Sequence, residues 1–182
     1  MSADNSYKLL DNMLTWVKLQ SGMLTVKPSK FNLNTAIENT LYLLRPALDT
    51  KKIDVKQNLN GTSEIFGEQN LISTILRNLI NNAIKFSEIE SEIDISVVDE
   101  SDDLITISIQ DFGIGMDDST LQNLFNSEKR PQKDGTMNEK GSGLGLILVK
   151  ELAELSEGSI KVESELGKGS TFTLTIPKKH NS

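Results

Sequence analysis

The chain has 182 residues, of which 37% are hydrophobic and 25% charged, with a formal net charge of −7. This balance fits one globular domain with an appendage; no apolar run approaches the roughly 20 residues that span a bilayer and no leader pattern opens the sequence, so a cytoplasmic protein is expected. The lack of cysteine excludes disulfides and thiolate metal sites, the single histidine, His180 in the tail, argues against zinc and Ser-His-Asp chemistry, and the lack of a basic stripe argues against a nucleic-acid partner.

Residues 5–21 read as a helix, because Leu9, Leu10, Met13, Leu14 and Val17 recur at three- and four-residue steps. Trp16 and Leu19 widen its apolar surface. Such a helix either folds back on its own domain or makes a dimer contact, and Gly22 ends it. Pro28 and Phe31 to Leu33 suggest a short edge strand, and Thr35 with Glu38 forms a capping box for a helix over 35–49. An alternating strand is expected at 53–59 and a long amphipathic helix at 68–86. Strands at 93–98 and 104–110 form a hairpin. A short helix at about 118–125 precedes a polar stretch, 126–140, whose only apolar anchors are Pro131 and Met137. With so little to bury, that stretch is expected to be mobile. Its Lys129, Arg130, Lys133 and Lys140 either bring positive charge to a site or are solvated loop charges. A helix over 144–156 and two strands, 159–164 and 170–176, close the chain. Hairpin-like strand pairs with helices on one side argue for a two-layer α/β sandwich.

Three segments carry chemistry. On the 68–86 helix, Ile72, Ile75, Leu76, Leu79 and Ala83 form the core stripe, and Asn78, Asn82 and Lys85 form a polar row beside it. Asparagine is a poor helix-interior residue, at roughly 0.5 kcal/mol each relative to alanine, so three of them at 78, 81 and 82 suggest another role. An amide oxygen suits Mg²⁺ held mainly by phosphates, and a lysine one turn on can reach a phosphate oxygen; the row is otherwise a solvated polar face. Next, Asp111 shares the parity of Ile105, Ile107 and Ile109, so its carboxylate points into the buried layer. It can accept a hydrogen bond from an exocyclic amine such as that of adenine, with Gly113 and Gly115 letting the backbone fit under a flat ring; the same residues could simply form a turn. Finally, Gly141, Gly143 and Gly145 alternate before an apolar helix. Glycines feeding a helix N-terminus make an anion site, or a tight loop before a helix.

Taken in order, these segments resemble the N box, the first glycine box and the second glycine box of the catalytic ATP-binding domain of sensor histidine kinases, in the GHKL ATPase superfamily. Leu124 and Phe125 resemble the F box between the glycine boxes, and the stretch from Glu163 to Pro177 resembles the closing hairpin. The resemblance covers about 29–177. It implies the Bergerat-type α/β (α+β) sandwich, a mixed sheet packed on helices, with an N-terminal helix. Residues 1–22 resemble the end of a dimerisation and histidine-phosphotransfer helix. Residues 23–182 resemble the ATP-binding catalytic domain, with an ATP lid at about 117–142. The phosphoaccepting histidine is then expected outside this chain.

The resemblance further implies that Asn82 coordinates Mg²⁺, that Asn78 lies near the γ-phosphate, and that Lys85 contacts phosphate, Asn78 and Lys85 being the catalytic candidates. Phe86 would flank the nucleotide, Asp111 bind the adenine amino group, and Gly113, Gly115 and Met116 shape the adenine pocket. Gly141, Ser142, Gly143, Leu144 and Gly145 would form the phosphate-proximal end of the lid, and Ser170 would reach adenine through water. ATP and Mg²⁺ are the implied cofactors. The implied partners are the dimerisation domain, a response regulator receiver domain and a second copy of the parent kinase. Asn78 stands where the hydrolysing branches of the superfamily carry a glutamate, and an amide cannot act as a general base. That favours phosphoryl transfer. The alternatives are a GHKL serine kinase of the anti-sigma type and a non-catalytic nucleotide-sensing domain.

Overall fold

A computed structural model describes residues 13–19, 21–23, 27–61, 64–126, 133–139 and 143–179. A helical stretch at 13–19 (α1) stops at Gly22, whose φ of +66° is a left-handed conformation suited to glycine. Residues 5–12 of the expected first helix lie outside the described residues. Met13, Leu14, Trp16 and Val17 face solvent, and Leu19 packs against the core.

Strand β1 (Ser29–Asn32) pairs antiparallel with β3 (Glu64–Gly67) in a separate two-stranded sheet. Helix α2 (Leu33–Lys51) follows β1 directly. The expected capping box at Thr35 and Glu38 is not what starts it. Asn32 is the N-cap, and its side chain accepts the Thr35 N–H at 2.9 Å. An asparagine leaving an extended strand already has the φ/ψ an N-cap needs, so the helix begins two residues early. It ends at Lys52, which takes a left-handed conformation and donates its N–H to Asp49 and Leu48 carbonyls.

The main sheet has the order β2-β4-β5-β7-β6, with β2 (Asp54–Leu59), β4 (Glu92–Asp99), β5 (Leu104–Asp111), β6 (Ser159–Glu165) and β7 (Gly169–Pro177). It is mixed: β2 runs parallel to β4, and the remaining neighbours are antiparallel. Alternation sends Ile93, Ile95 and Val97 of β4, Ile105, Ile107 and Ile109 of β5, and Phe172, Leu174 and Ile176 of β7 to one buried face. Each such side chain contributes about 1.5–3 kcal/mol by leaving water. Helix α3 (Gln69–Phe86) lies on that face between α2 and α5 (Gly145–Leu155). Neighbours on several sides bury Leu71, Ile80 and Ile84 in addition to the expected stripe. A five-residue helix, α4 (Asp118–Gln122), follows β5, capped by the Asp117 carboxylate on the Thr120 N–H. The architecture is the expected two-layer α/β sandwich. No helix among the described residues is long and apolar enough to cross a membrane.

Candidate functional site

Three elements line the C-terminal half of α3, with Gly145 against Asn78 and Gly113 against Phe86. The register of the sheet sets the first part. Asp111 is the last residue of β5, opposite Ile93 on one side and Ser170 on the other. It is 2% exposed, pointing the way its strand parity predicts. Its Oδ1 accepts the Gly113 N–H at 3.0 Å. Burial pushes its carboxyl up to about 6, against which the backbone N–H groups of Gly113 and Ser170 pull only partly. No cation among the described residues takes part in that balance, so the carboxylate is buried, charged near neutral pH and short of donors there.

The glycines around it are required by the chain itself. A Cβ on Gly113 would stand 2.0 Å from the Phe86 carbonyl oxygen, one on Gly115 2.0 Å from that of Glu165, and one on Gly169 2.0 Å from that of Asp111. Backbone therefore crosses backbone beneath the carboxylate. Ser164, which sequence reasoning passed over, locks these crossings together. Its hydroxyl accepts the Met116 N–H at 2.9 Å and donates to the Gly169 carbonyl at 2.8 Å. Ser170 Oγ lies 3.0 Å away, and with the Ser164 proton already committed it is the donor of that pair. The only sequence signal for Ser164 is its alternation with Val162 on an edge strand.

Helix α3 supplies the second part. Asn78, Asn82 and Phe86 are half-buried, and Lys85 is 8% exposed. The Asn78 Nδ2 donates to the Thr74 carbonyl at 2.8 Å, so its Oδ1 faces α5, where a Cβ on Gly145 would sit 2.8 Å from it. The Asn82 side chain makes no hydrogen bond among the described residues. Lys85 Nζ sits 4.7 Å above the Phe86 ring and donates to the Lys133 carbonyl at 2.8 Å. Burial lowers its pKa; the nearby Asp134 and Glu139 oppose that, and the charge of Lys51 adds to it.

The third part is the N-terminus of α5. Gly143 has φ +68°, Leu144 is the N-cap in helical conformation, and no side chain caps the helix. Among the described residues no side chain satisfies the first N–H groups of the helix. Gly141 and Ser142 lie outside the described residues, as do Lys129, Arg130, Lys140 and His180.

Of the stretch 126–140, residues 126 and 133–139 are described and Pro131 lies outside them. Residues 133–139 have few apolar anchors but are held by polar ones. The Thr136 hydroxyl donates to the Ser87 carbonyl at 2.6 Å, and Lys51 pairs with Glu139 at 2.7 Å. Lys133 pairs with Asp117 at 3.2 Å. The Asp117 carboxyl is held down to about 2, chiefly by the Thr120 N–H and hydroxyl and then by Lys133. Leu124 is buried and Phe125 packs against the core, so the segment before this stretch is anchored as well.

Residues 67–180 match the family described as histidine kinase-, DNA gyrase B- and HSP90-like ATPases. The autoinducer 2 sensor kinase/phosphatase LuxQ of Vibrio vulnificus is 32% identical over 182 residues, covering 97% of this chain and 21% of LuxQ. The sensor histidine kinase GacS of Pseudomonas protegens is 30% identical over 184 residues, covering 97% of this chain and 20% of GacS. The chain thus spans about a fifth of the length of these relatives. Among solved structures, the Acinetobacter baumannii histidine kinase AdeS superposes with a TM-score of 0.77 at 22% identity, over 94% of this chain and 78% of AdeS. Full-length ShkA in complex with AMPPNP superposes at 0.81 and 21% identity, over 100% of this chain and 38% of ShkA. At such identities the likeness establishes a shared fold.

Proposed function

The chain belongs to the family of histidine kinase-, DNA gyrase B- and HSP90-like ATPases, and from that membership we propose that it is the ATP-binding catalytic domain of a sensor histidine kinase. It would bind Mg-ATP and pass the γ-phosphoryl group to a histidine on a dimerisation and phosphotransfer domain. A response regulator receiver domain would be the onward acceptor, and the parent kinase would act as a dimer in the cytoplasm or anchored at its boundary. The observation that carries the reading is the buried Asp111 carboxylate, which has no cationic partner among the described residues. Two backbone donors leave acceptor capacity on its oxygens, which an exocyclic adenine amine can fill.

The rest of the site fits the phosphates. The uncapped N-terminus of α5 offers N–H groups to an anion. Lys85, further along α3, donates a hydrogen bond to a loop carbonyl, a bond that a phosphate oxygen can replace. The described residues hold no cluster of three or more acidic or histidine side chains, so a divalent ion would take one neutral oxygen from Asn82 and the remainder from phosphates and water. Bound there, Mg²⁺ would neutralise phosphate charge as it develops. Asn78 has no basic nitrogen, and its amide is fixed by Thr74. It orients groups and does not activate water, which favours transfer over hydrolysis.

Incubation with γ-labelled ATP and a separately supplied dimerisation domain tests this. Label should reach the histidine of the added domain, weakly, because the covalent link and its effective concentration are missing. The chain alone should remain unlabelled and turn ATP over slowly. Rapid turnover would place it with the hydrolysing branch, and labelling of an added serine substrate with the anti-sigma type.

A further inference from the structure

Lys51 is a deeply buried ammonium that the reading above leaves without a task. It ends α2 and is 2% exposed. Its Nζ lies under the C-terminal end of α3, 2.8 Å from the carbonyl oxygens of Ile84 and Lys85 and 3.2 Å from that of Ser87. Those carbonyls end a helix, where orphan acceptors and the negative end of the dipole favour a cation. On its other side Nζ meets Thr136 Oγ1 and a Glu139 carboxylate oxygen, each at 2.7 Å. Three protons serve five acceptors, so the ammonium ties both groups into one knot.

Residues 133–139 add their own bonds to it. The Thr136 N–H donates to the Lys85 carbonyl at 3.1 Å, and the Met137 N–H donates to the Glu139 carboxylate at 2.8 Å. Gly135 passes so near that a Cβ there would stand 2.6 Å from Lys85 Cγ. Burial tends to raise the Glu139 carboxyl, but Lys51 and the N–H groups of Glu139 and Met137 outweigh it and keep it ionised. The segment therefore forms a strap across the end of the helix that carries Lys85, and the strap's Lys133 carbonyl accepts a hydrogen bond from Lys85 Nζ.

We propose that Lys51 is a positioning residue: through Glu139 and Thr136 it pins the 133–139 strap to α3, and the pinned strap holds Lys85 on the Lys133 carbonyl until nucleotide phosphates draw it away. The strap itself is independent of the nucleotide reading; its competition with phosphate rests on that reading. Loosening the strap then lowers what phosphates must overcome to recruit Lys85.

Glu139→Gln is the first test, because Glu139 is partly exposed and its replacement keeps shape; Thr136→Val is the second, removing one hydroxyl. In the nucleotide-free chain, amide exchange at Gly135 to Glu139 should quicken about tenfold in each variant, as loss of one charged hydrogen bond implies. Amides of β4, β5 and β7 should not change. By calorimetry, the ratio of ATP to adenosine affinity should rise threefold or more in Thr136→Val, which changes no charge, a result that a purely structural tie would not produce. Unchanged exchange in both variants would overturn the strap. An unchanged or lower ratio with faster exchange would overturn its hold on Lys85. A chain that binds neither ATP nor adenosine refutes the reading of the site, and the exchange rates alone then decide on the strap.

Discussion

Asp111→Asn probes the buried carboxylate through stability and through binding. Asp111 titrates near about 6 in the folded chain against 3.8 for an ordinary aspartate. A carboxyl whose pKa is raised on folding stabilises the fold while protonated. That contribution is fully present below 3.8 and is lost as pH rises through about 6. Integrated between about pH 4.5 and about pH 7.5, the loss comes to about 2 kcal/mol. Asparagine does not titrate, and every other titrating group is common to both chains. The difference in stability between variant and parent should therefore move by about 2 kcal/mol in the variant's favour over that interval, whatever its value at either end. Urea unfolding at the two pH values measures it. A difference that stays constant within about 0.5 kcal/mol would refute the idea that an unpaired carboxylate is ionised inside the sheet layer. Binding should move the other way. At neutral pH the variant should bind adenosine about ten- to a hundred-fold more weakly, and because adenosine carries no phosphate the loss reports on Asp111 alone.

Asn82→Ala should abolish most of the gain in ATP affinity that Mg²⁺ confers and leave adenosine affinity unchanged, as read by calorimetry with and without the cation. Gly113→Ala places a Cβ 2.0 Å from the Phe86 carbonyl oxygen; it should cost about 3 kcal/mol or more, lowering Tm by about 10 °C in a thermal melt. Ser164→Ala strands the Met116 N–H and the Gly169 carbonyl and should cost about 1–3 kcal/mol, whereas Ser170→Ala should cost less. Equal losses for the two serines in denaturant titrations would contradict the assigned donor order.

Much of this site is legible in the sequence because two periodicities report it. Parity along β5 sends Asp111 inward with three isoleucines, and the α-helical wheel sets Asn78, Asn82 and Lys85 in one row. What escapes is non-local. Strand β3 spans four residues with no alternation long enough to read, and it exists because β1 pairs with it from more than thirty positions earlier. Lys51 sits in the run Lys51-Lys52-Ile53-Asp54, where nothing local marks one lysine for burial. It is buried because carbonyls more than thirty residues away converge on it. The first glycine box is visible as a pattern, yet its steric reason, backbone crossing backbone at Phe86 and Glu165, is a tertiary fact. The polar contacts of 133–139 with Lys51, Lys85 and Ser87 are likewise invisible to a count of apolar side chains.

The ladder Ile93–Asp111–Ser170 also governs which changes in length the molecule can absorb. Deleting one residue within Leu104–Asp111 while the hairpin turn stays fixed rotates every following side chain to the opposite face. The carboxylate then turns to solvent and Phe112 arrives in its place. Deleting two residues restores the face but carries the carboxylate about 7 Å along the strand, away from Ser170 and from the Gly113 N–H. Neither change leaves a working pocket, although a β-sheet could form in both. Length differences among chains that keep this site should therefore fall in the connections, with the eight positions of β5 counted out one for one.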